Sequence, residues 1–400
     1  MRPRPDPQAR RDRSGPRSRG ASAAIATHPH FVTCAPGLEP LLHAELKALK
    51  LARLERQVGG VYFEGTARDA MRVNLESRVA VRVLRRLTRF PAASEGALYD
   101  GVRAVDWEPY LRPGGTLLVA ARTRDSALDH SLFVEQRVKD GVCDALREAR
   151  GERPTVDRSD PDLRVDVHLF RDRCTLSVDT SGDSLHKRGW RVFQGGAPLA
   201  ETLAAGLVLH SGWDRRAPLV DPFCGSGTLL VEAAHLAADR APGLSRERFA
   251  FEGFADHEAA AWEGLRAAAR ERVRLPKKLQ LIGSDSDPEV VAGARRNLEA
   301  AGLADAVRLE VARAEDFAPR RGWNAQVLTN PPYGERLGEA GELGATYRAF
   351  GERLREGCAG YGLALFSGNT ELAAELGLDF EQRLPLLNGA LECELLLDRL

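Results

Sequence analysis

The stretch LVDPFCGSGTLLVEAAHLA, Leu219 to Ala237, decides the fold. A short apolar strand runs into a turn with two glycines, and a helix-forming segment follows at once. Gly225 and Gly227 let a ligand approach the backbone closely, and the helix start offers N–H groups that no preceding turn uses. The turn is not a Walker loop, since no Gly-Lys-Ser/Thr follows, and it lacks the third glycine of the dinucleotide fingerprint. A glycine turn after a strand is also common structural punctuation, so its surroundings must decide.

Those surroundings repeat the pattern. Upstream, Pro198 opens a predicted helix over 199–210. Downstream come a strand at 279–284, a helix at 288–301 and strands at 307–311 and 325–329. A helix at 343–354 and a strand at 362–367 complete the series. Alternation of this kind builds an α/β unit, a parallel sheet covered on both faces. Two apolar runs around Asn388-Gly389 predict a closing antiparallel hairpin.

Before this unit the chain reads differently. Residues 1–28 hold seven Arg and almost no large apolar side chain, the composition of a flexible basic tail. A strand around Phe31–Cys34, a helix with Leu42 and Leu46, a strand at 61–63 and a helix capped by Thr66 form a small α+β segment. A second follows, with a strand at 116–121, a helix at 132–150 and strands at 164–170 and 174–179. The connector SGDSLHKRGWRVFQGG, 181–196, carries Lys187, Arg188, Trp190 and Arg191. Basic residues around an aromatic suit phosphate and base-stacking contacts, and an ordinary solvated linker is the alternative.

Composition bounds the partners. The 57 basic and 57 acidic side chains cancel over 400 residues. By segment they do not: residues 1–216 carry a net +8 and residues 217–400 a net −8, with only +1 across 29–180. A hold on phosphates would therefore need a local patch. No apolar run reaches the length of a membrane helix, and the N-terminus lacks the apolar core of a secretion signal. Six scattered Cys without a CxxC pair, and nine His without HExxH, point to a cytoplasmic protein without a metal or disulfide frame.

Two further motifs sit at strand ends. In Gly283-Ser-Asp285-Ser-Asp287-Pro288, Asp285 suits the two hydroxyls of a ribose, and Asp287 suits the cap of the next helix. In Thr329-Asn330-Pro331-Pro332-Tyr333-Gly-Glu335-Arg336-Leu, two prolines stiffen the turn and remove donors. The Asn330 side chain and a backbone carbonyl accept hydrogen bonds, and Tyr333 presents a flat face. That combination fits an exocyclic amino group on a base. Glu335 and Arg336 either shape the pocket or pack as loop.

DPFCGSGT, GSDSD and TNPPYGERL, in this order, resemble the class I S-adenosylmethionine-dependent methyltransferases. With SLHKRGWR, APLAETLAAGLVLHSGW, DRAPGL and NGALECELL the chain is similar to bacterial 23S ribosomal RNA guanine-N2 methyltransferases. The resemblance implies a Rossmann-like sheet with a C-terminal hairpin, preceded by ferredoxin-like and THUMP domains. It implies a tail over 1–28, a ferredoxin-like subdomain over 29–98, a THUMP RNA-binding domain over 99–180, a linker over 181–197 and a methyltransferase domain over 198–400. The cofactor would be S-adenosylmethionine, held by Asp221, Pro222, Cys224, Gly225, Gly227, Thr228 and Asp285. Asn330, Pro331, Pro332 and Tyr333 would carry catalysis on an unpaired or flipped guanine. Some members continue into a second methyltransferase domain; ending after the hairpin, this chain is expected to have the N2 activity alone. One position departs: Arg313, in VARAEDF, stands where the family places the acidic residue for the adenine amino group, which shifts that role to Glu315 or Asp316. The competing readings are an adenine-N6 methyltransferase and a non-catalytic RNA-binding assembly factor.

Overall fold

Strand alternation sorts the apolar side chains onto opposite faces, and the fold follows from which faces are then covered. The computed structural model describes residues 26–196, 198–333 and 339–400. Most of the basic tail, Ala197, and the Gly334-Glu335-Arg336-Leu337 end of the proline motif lie outside them.

The first half contains β1 (His28–Cys34), α1 (Glu39–Ala48), β2 (Ala52–Gln57), β3 (Gly60–Gly65), α2 (Ala67–Glu76) and β4 (Ala80–Pro91). It continues with α3 (Glu95–Arg103), β5 (Thr116–Arg124), α4 (Ser131–Arg150), β6 (Thr155–Val156), β7 (Leu163–Phe170) and β8 (Arg173–Asp179). The two α+β segments share one eight-stranded sheet, ordered β2-β3-β1-β4-β8-β7-β5-β6. The long strand β4 joins them, pairing with β1 on one side and β8 on the other. Thr66 caps α2 in a reciprocal box with Asp69, as its position suggests. Gly151 ends α4 in a left-handed cap.

The second half contains α5 (Glu201–His210), β9 (Leu219–Asp221), α6 (Thr228–Ala237), α7 (Ala259–Glu271), β10 (Leu281–Asp285) and α8 (Pro288–Ala300). There follow β11 (Val307–Val311), β12 (Gln326–Thr329), α9 (Glu339–Gly357), β13 (Gly362–Ser367) and α10 (Thr370–Ala374). The hairpin β14 (Gln382–Asn388) and β15 (Leu391–Arg399) closes the chain. The sheet order is β11-β10-β9-β12-β13-β15-β14, parallel through β13, with β15 antiparallel beside it. Neighbours alternate between two cores. Leu219, Leu328, Ala364 and Phe366 join one, with Leu230 of α6 and Val291 of α8. Val220, Val327, Leu363 and Leu365 join the other, with Tyr347 and Phe350 of α9. No helix among the described residues is long and apolar enough to cross a membrane.

The halves meet without a gap. A Cβ on Gly243 would stand 2.8 Å from the Leu75 Cα, so a side chain there would drive α2 off the second half. Beside that seam, buried Asn74 donates to Thr180 Oγ1 (2.8 Å) and accepts from Ser181 Oγ (2.7 Å). Those hydroxyl groups also bond the Val83 backbone. Asn74→Ala strands buried hydroxyl groups and lowers the unfolding free energy by about 2 kcal/mol, read as a lower denaturant midpoint.

Candidate active site where the strand order reverses

In the second sheet, chain order runs outward from β9 in one direction to β11 and from β12 in the other. The loops after β9 and β12 therefore diverge and leave a crevice at the strands' C-terminal ends, the usual ligand position of such sheets. Asp221 closes β9 and is buried. Its Oδ1 accepts from Thr329 Oγ1, at the end of β12, at 2.7 Å. One hydrogen bond thus pins the roots of both loops.

The loop after β9 turns through Gly225 (φ +50°) and Gly227 (φ +79°). Both φ values lie where a side chain is strained. A Cβ on Gly225 would meet open space, which marks the side from which a ligand can approach. Gly227 precedes α6 and supplies no side-chain cap, so the helix start faces the crevice with its N–H groups. Cys224 is buried, its N–H bonded to the Ser284 carbonyl of the neighbouring strand. Pro222 is buried and Thr228 opens α6.

Asp285 ends β10 beside this loop. Its Oδ2 accepts from Gly225 N at 3.1 Å and its Oδ1 from Asp287 N at 3.1 Å, which fixes the carboxylate while leaving lone pairs on both oxygens. Asp287 caps α8 through Glu289 N at 2.8 Å. Beyond β11, Arg313 pairs with Glu315 (2.7 Å), which also accepts from Thr346 Oγ1 (2.9 Å). The Arg313 bond above all holds the Glu315 carboxyl down at about 2. Asp316, next to it, is exposed.

Across the crevice, Asn330 and Tyr333 are half-buried, Pro331 is buried and Pro332 exposed. The Tyr333 hydroxyl donates to Asn330 Oδ1. The Pro332 carbonyl accepts from Tyr347 Oη (3.0 Å) and the Tyr333 carbonyl from Asn369 Nδ2 (3.3 Å), so α9 and the end of β13 hold this turn. Gly368 flanks the Tyr333 ring and lines a cleft of about 780 Å³ between the C-terminal hairpin and Pro36-Gly37 of the N-terminal half. Tyr347 and Asn369 were missed in the sequence, although Ser-Gly-Asn directly after a parallel strand is a usable signal.

The linker is the main correction. Lys187 is exposed, paired with Asp183. Trp190 and Arg188 are buried, so neither offers the expected surface for a base or phosphate. Arg188 lies against Glu232 of α6 (3.4 Å) and donates to the carbonyls of Leu185 and Arg78. Arg191 turns inward, donating to Glu201 Oε1 (2.8 Å), the Leu199 carbonyl (2.9 Å), Ser226 Oγ (3.1 Å) and Thr228 Oγ1 (3.0 Å). Buried Asn297 of α8 binds the N–H groups of Val192 and Phe193 and the Ser226 carbonyl. Burial outweighs solvation here because each guanidinium finds several fixed acceptors. The strap therefore clasps the glycine loop.

Burial pushes the Asp221 carboxyl up to about 7, against the pull of its Thr329 and Phe223 hydrogen bonds. An acid raised in the folded state keeps a proton that the unfolded chain has released. Its contribution to stability therefore falls as pH rises from about 4 to about 7. Asp221→Asn removes that slope. Urea midpoints across this range should show the variant gaining on the wild type by an amount on the order of 2–4 kcal/mol.

Comparison with known proteins agrees with this geometry. Residues 188–396 match the RMKL-like methyltransferase domain, residues 92–179 the THUMP domain and residues 30–84 the RlmL ferredoxin-like domain. The ribosomal RNA large subunit methyltransferase K/L of Pseudomonas paraeruginosa is 43% identical over 378 residues, covering 92% of this chain and 52% of that protein. Its namesake from Syntrophotalea carbinolica is 44% identical over 375 residues, covering 92% and 53%. The chain thus spans about half the length of these relatives. Among solved structures, SMU.472, described as a methyltransferase and crystallised with SAH, superposes with a TM-score of 0.86 at 31% identity, covering 93% of this chain and 98% of that one. A Listeria monocytogenes protein named as an N6-adenine-specific DNA methylase gives 0.84 at 29% identity, covering 93% and 96%. With the reversed strand order, the glycine loop and the proline turn in place, and the domain match running over half of its length, the chain belongs to the RMKL-like methyltransferase-domain family.

Proposed function

We propose that the chain transfers a methyl group from S-adenosylmethionine to the exocyclic N2 of a guanine in 23S ribosomal RNA. The observation that carries this reading is the placement of Asn330-Pro331-Pro332-Tyr333 across the crevice from the Gly225–Gly227 loop, on a chain whose residues 92–179 match a THUMP domain. When bound, the cofactor supplies a methyl already activated by its sulfonium charge. The residues of the chain therefore bind, orient and position.

The crevice fits such a ligand. The glycine loop leaves room where a Cβ would intrude, and Asp285 is held ready for ribose hydroxyls. Asp316, or Glu315 after release from Arg313, is the acceptor for the adenine amino group. On the other side, guanine N2 is a poor nucleophile because its lone pair is delocalised into the ring. Accepting its protons on Asn330 Oδ1 and the Pro331 carbonyl favours a pyramidal nitrogen and fixes its approach. The Pro331 carbonyl is the backbone acceptor, and the neighbouring Pro332 carbonyl is anchored by Tyr347. Asn330 Oδ1 accepts from Tyr333 and keeps a second lone pair for the base. Tyr333 supplies the stacking face, and the proton leaves N2 for solvent after transfer. A base inside a helix cannot reach this turn, so the target is unpaired or flipped; the cleft beside Gly368 gives it room.

The name carried by the Listeria protein favours adenine N6 as a second reading. Incubating the full chain with tritiated cofactor and 23S ribosomal RNA lacking its modifications decides between them. N2-methylguanosine in the digested product supports the first, and N6-methyladenosine the second. No incorporation into RNA sinks the first, and the second then stands only if duplex DNA offered in parallel yields N6-methyladenine. Asn330→Ala should cut turnover by at least about a hundredfold, a loss of about 3 kcal/mol in the transition state, with cofactor affinity unchanged by calorimetry.

The linker clasp gives a separate expectation. Arg191→Ala frees the Ser226 and Thr228 hydroxyl groups and should weaken cofactor binding about tenfold, the effect of about 1.4 kcal/mol. Arg191→Lys should recover part of it, since one ammonium cannot span four acceptors. At a temperature well below the unfolding midpoint, unchanged cofactor affinity in the alanine variant would refute the clasp.

A further inference from the structure

The N-terminal half has almost no net charge to hold a polyanion, +1 over residues 29–180, so any grip must come from arrangement. Its sheet provides one. Helices α1 to α4 pack on a single face, where Val32, Phe63, Val83, Val165, Val167 and Val119 are buried. The side chains between them point to the other face. There the register lines up two rungs across β4, β8, β7 and β5. One is Arg89, Thr175, His168 and Arg122; the other is Pro91, Arg173, Phe170 and Arg124.

The rungs bring four exposed arginines around two rings. His168 and Phe170 lie parallel, 2° apart in plane with centroids 6.2 Å apart. Arg171 packs over the Phe170 ring at 5.0 Å. Carboxylates offset this charge only in part. Arg122 meets Asp166 at 3.2 Å and Arg124 meets Asp125 at 3.6 Å, whereas Arg89 and Arg173 make no ion pair among the described residues. Desolvation and then the Arg122 charge lower the His168 pKa from its ordinary value, which favours the neutral ring.

We infer that this open face, centred on His168 and Phe170, is a docking platform for single-stranded RNA. Two parallel rings, stacked 6.2 Å apart, offer faces to unpaired bases, and the surrounding guanidinium groups lie where a backbone leaves those bases. An acidic protein partner would find the arginines but would have no use for the exposed His168 ring and the half-buried Phe170 ring parallel to it. A folded duplex would leave the rings uncovered. The inference deepens the reading of the chain as an RNA methyltransferase and rests on it for the choice of RNA.

The test uses the full chain with two probes, a fluorescein-labelled 12-nucleotide oligouridylate and deproteinised 23S ribosomal RNA. In the combined variant Arg89→Ser, Arg122→Ser, Arg124→Ser and Arg173→Ser, affinity for both should fall at least about tenfold at 0.1 M salt. The plot of log affinity against log salt should become shallower by about 3, the counterions released by four phosphate contacts on a single strand. His168→Ala should lose about tenfold on the oligonucleotide with an unchanged salt slope, as expected for stacking without charge. Cofactor affinity should match the wild type in both variants, which shows that they fold. The platform is overturned if the combined variant keeps its affinity and salt slope, or if the wild type ignores the oligonucleotide. The parent reading fails separately: a wild type that binds both probes through these residues yet transfers no methyl group to the ribosomal RNA is an RNA-binding protein of another kind.

Discussion

The hydrogen bond from Thr329 to the buried carboxyl of Asp221 is the point on which the site depends. It joins the ends of the two strands between which chain order reverses, and each strand leads into one wall of the crevice. Where the strand order reverses, right-handed connections leave over opposite faces of the sheet, which drives the two loops apart. A short bond between a buried acid and a hydroxyl keeps their starting points fixed as they diverge. The acid is costly to bury, and its raised pKa is the measure of that cost.

Much of this was legible because it is local. The order of strands and helices from Leu219 onward, the glycine loop, the Asp287 cap and the closing hairpin all follow from patterns within a dozen residues. The register and the central strand of the N-terminal sheet were not. The segment AVRVLRRLTRFP, Ala80–Pro91, reads as polar because of its four arginines, yet it is β4, the strand that fuses both α+β segments. One of these arginines, Arg85, is buried against Tyr110 and Phe254, and Arg89 stands in solvent. Nothing in the sequence separates those fates, because the partners arrive from distant segments.

The linker makes the same point. Lys187, Arg188, Trp190 and Arg191 have the composition of an RNA-contacting surface, and three of the four are drawn inside. Glu232, Ser226 and Thr228, more than thirty residues along, decide their destination. Conversely, the face that does gather exposed arginines is assembled from four strands, no one of which supplies more than two of them. Charge patterning along a chain and charge patterning on a surface are different quantities in a sheet protein, since lateral neighbours come from remote parts of the sequence.

The buried seam has a consequence for how a target is chosen. Gly243 against α2, Arg188 between Arg78 and Glu232, and Asn297 across the strap leave no slack between the two halves. Two parts packed this closely hold a set separation between the sheet face of the first half and the turn at Asn330. Such a molecule works as a caliper. On the proposed reading, it would select a nucleotide by where that nucleotide stands relative to the gripped landmark, and neighbouring bases of the same type would be passed over by distance.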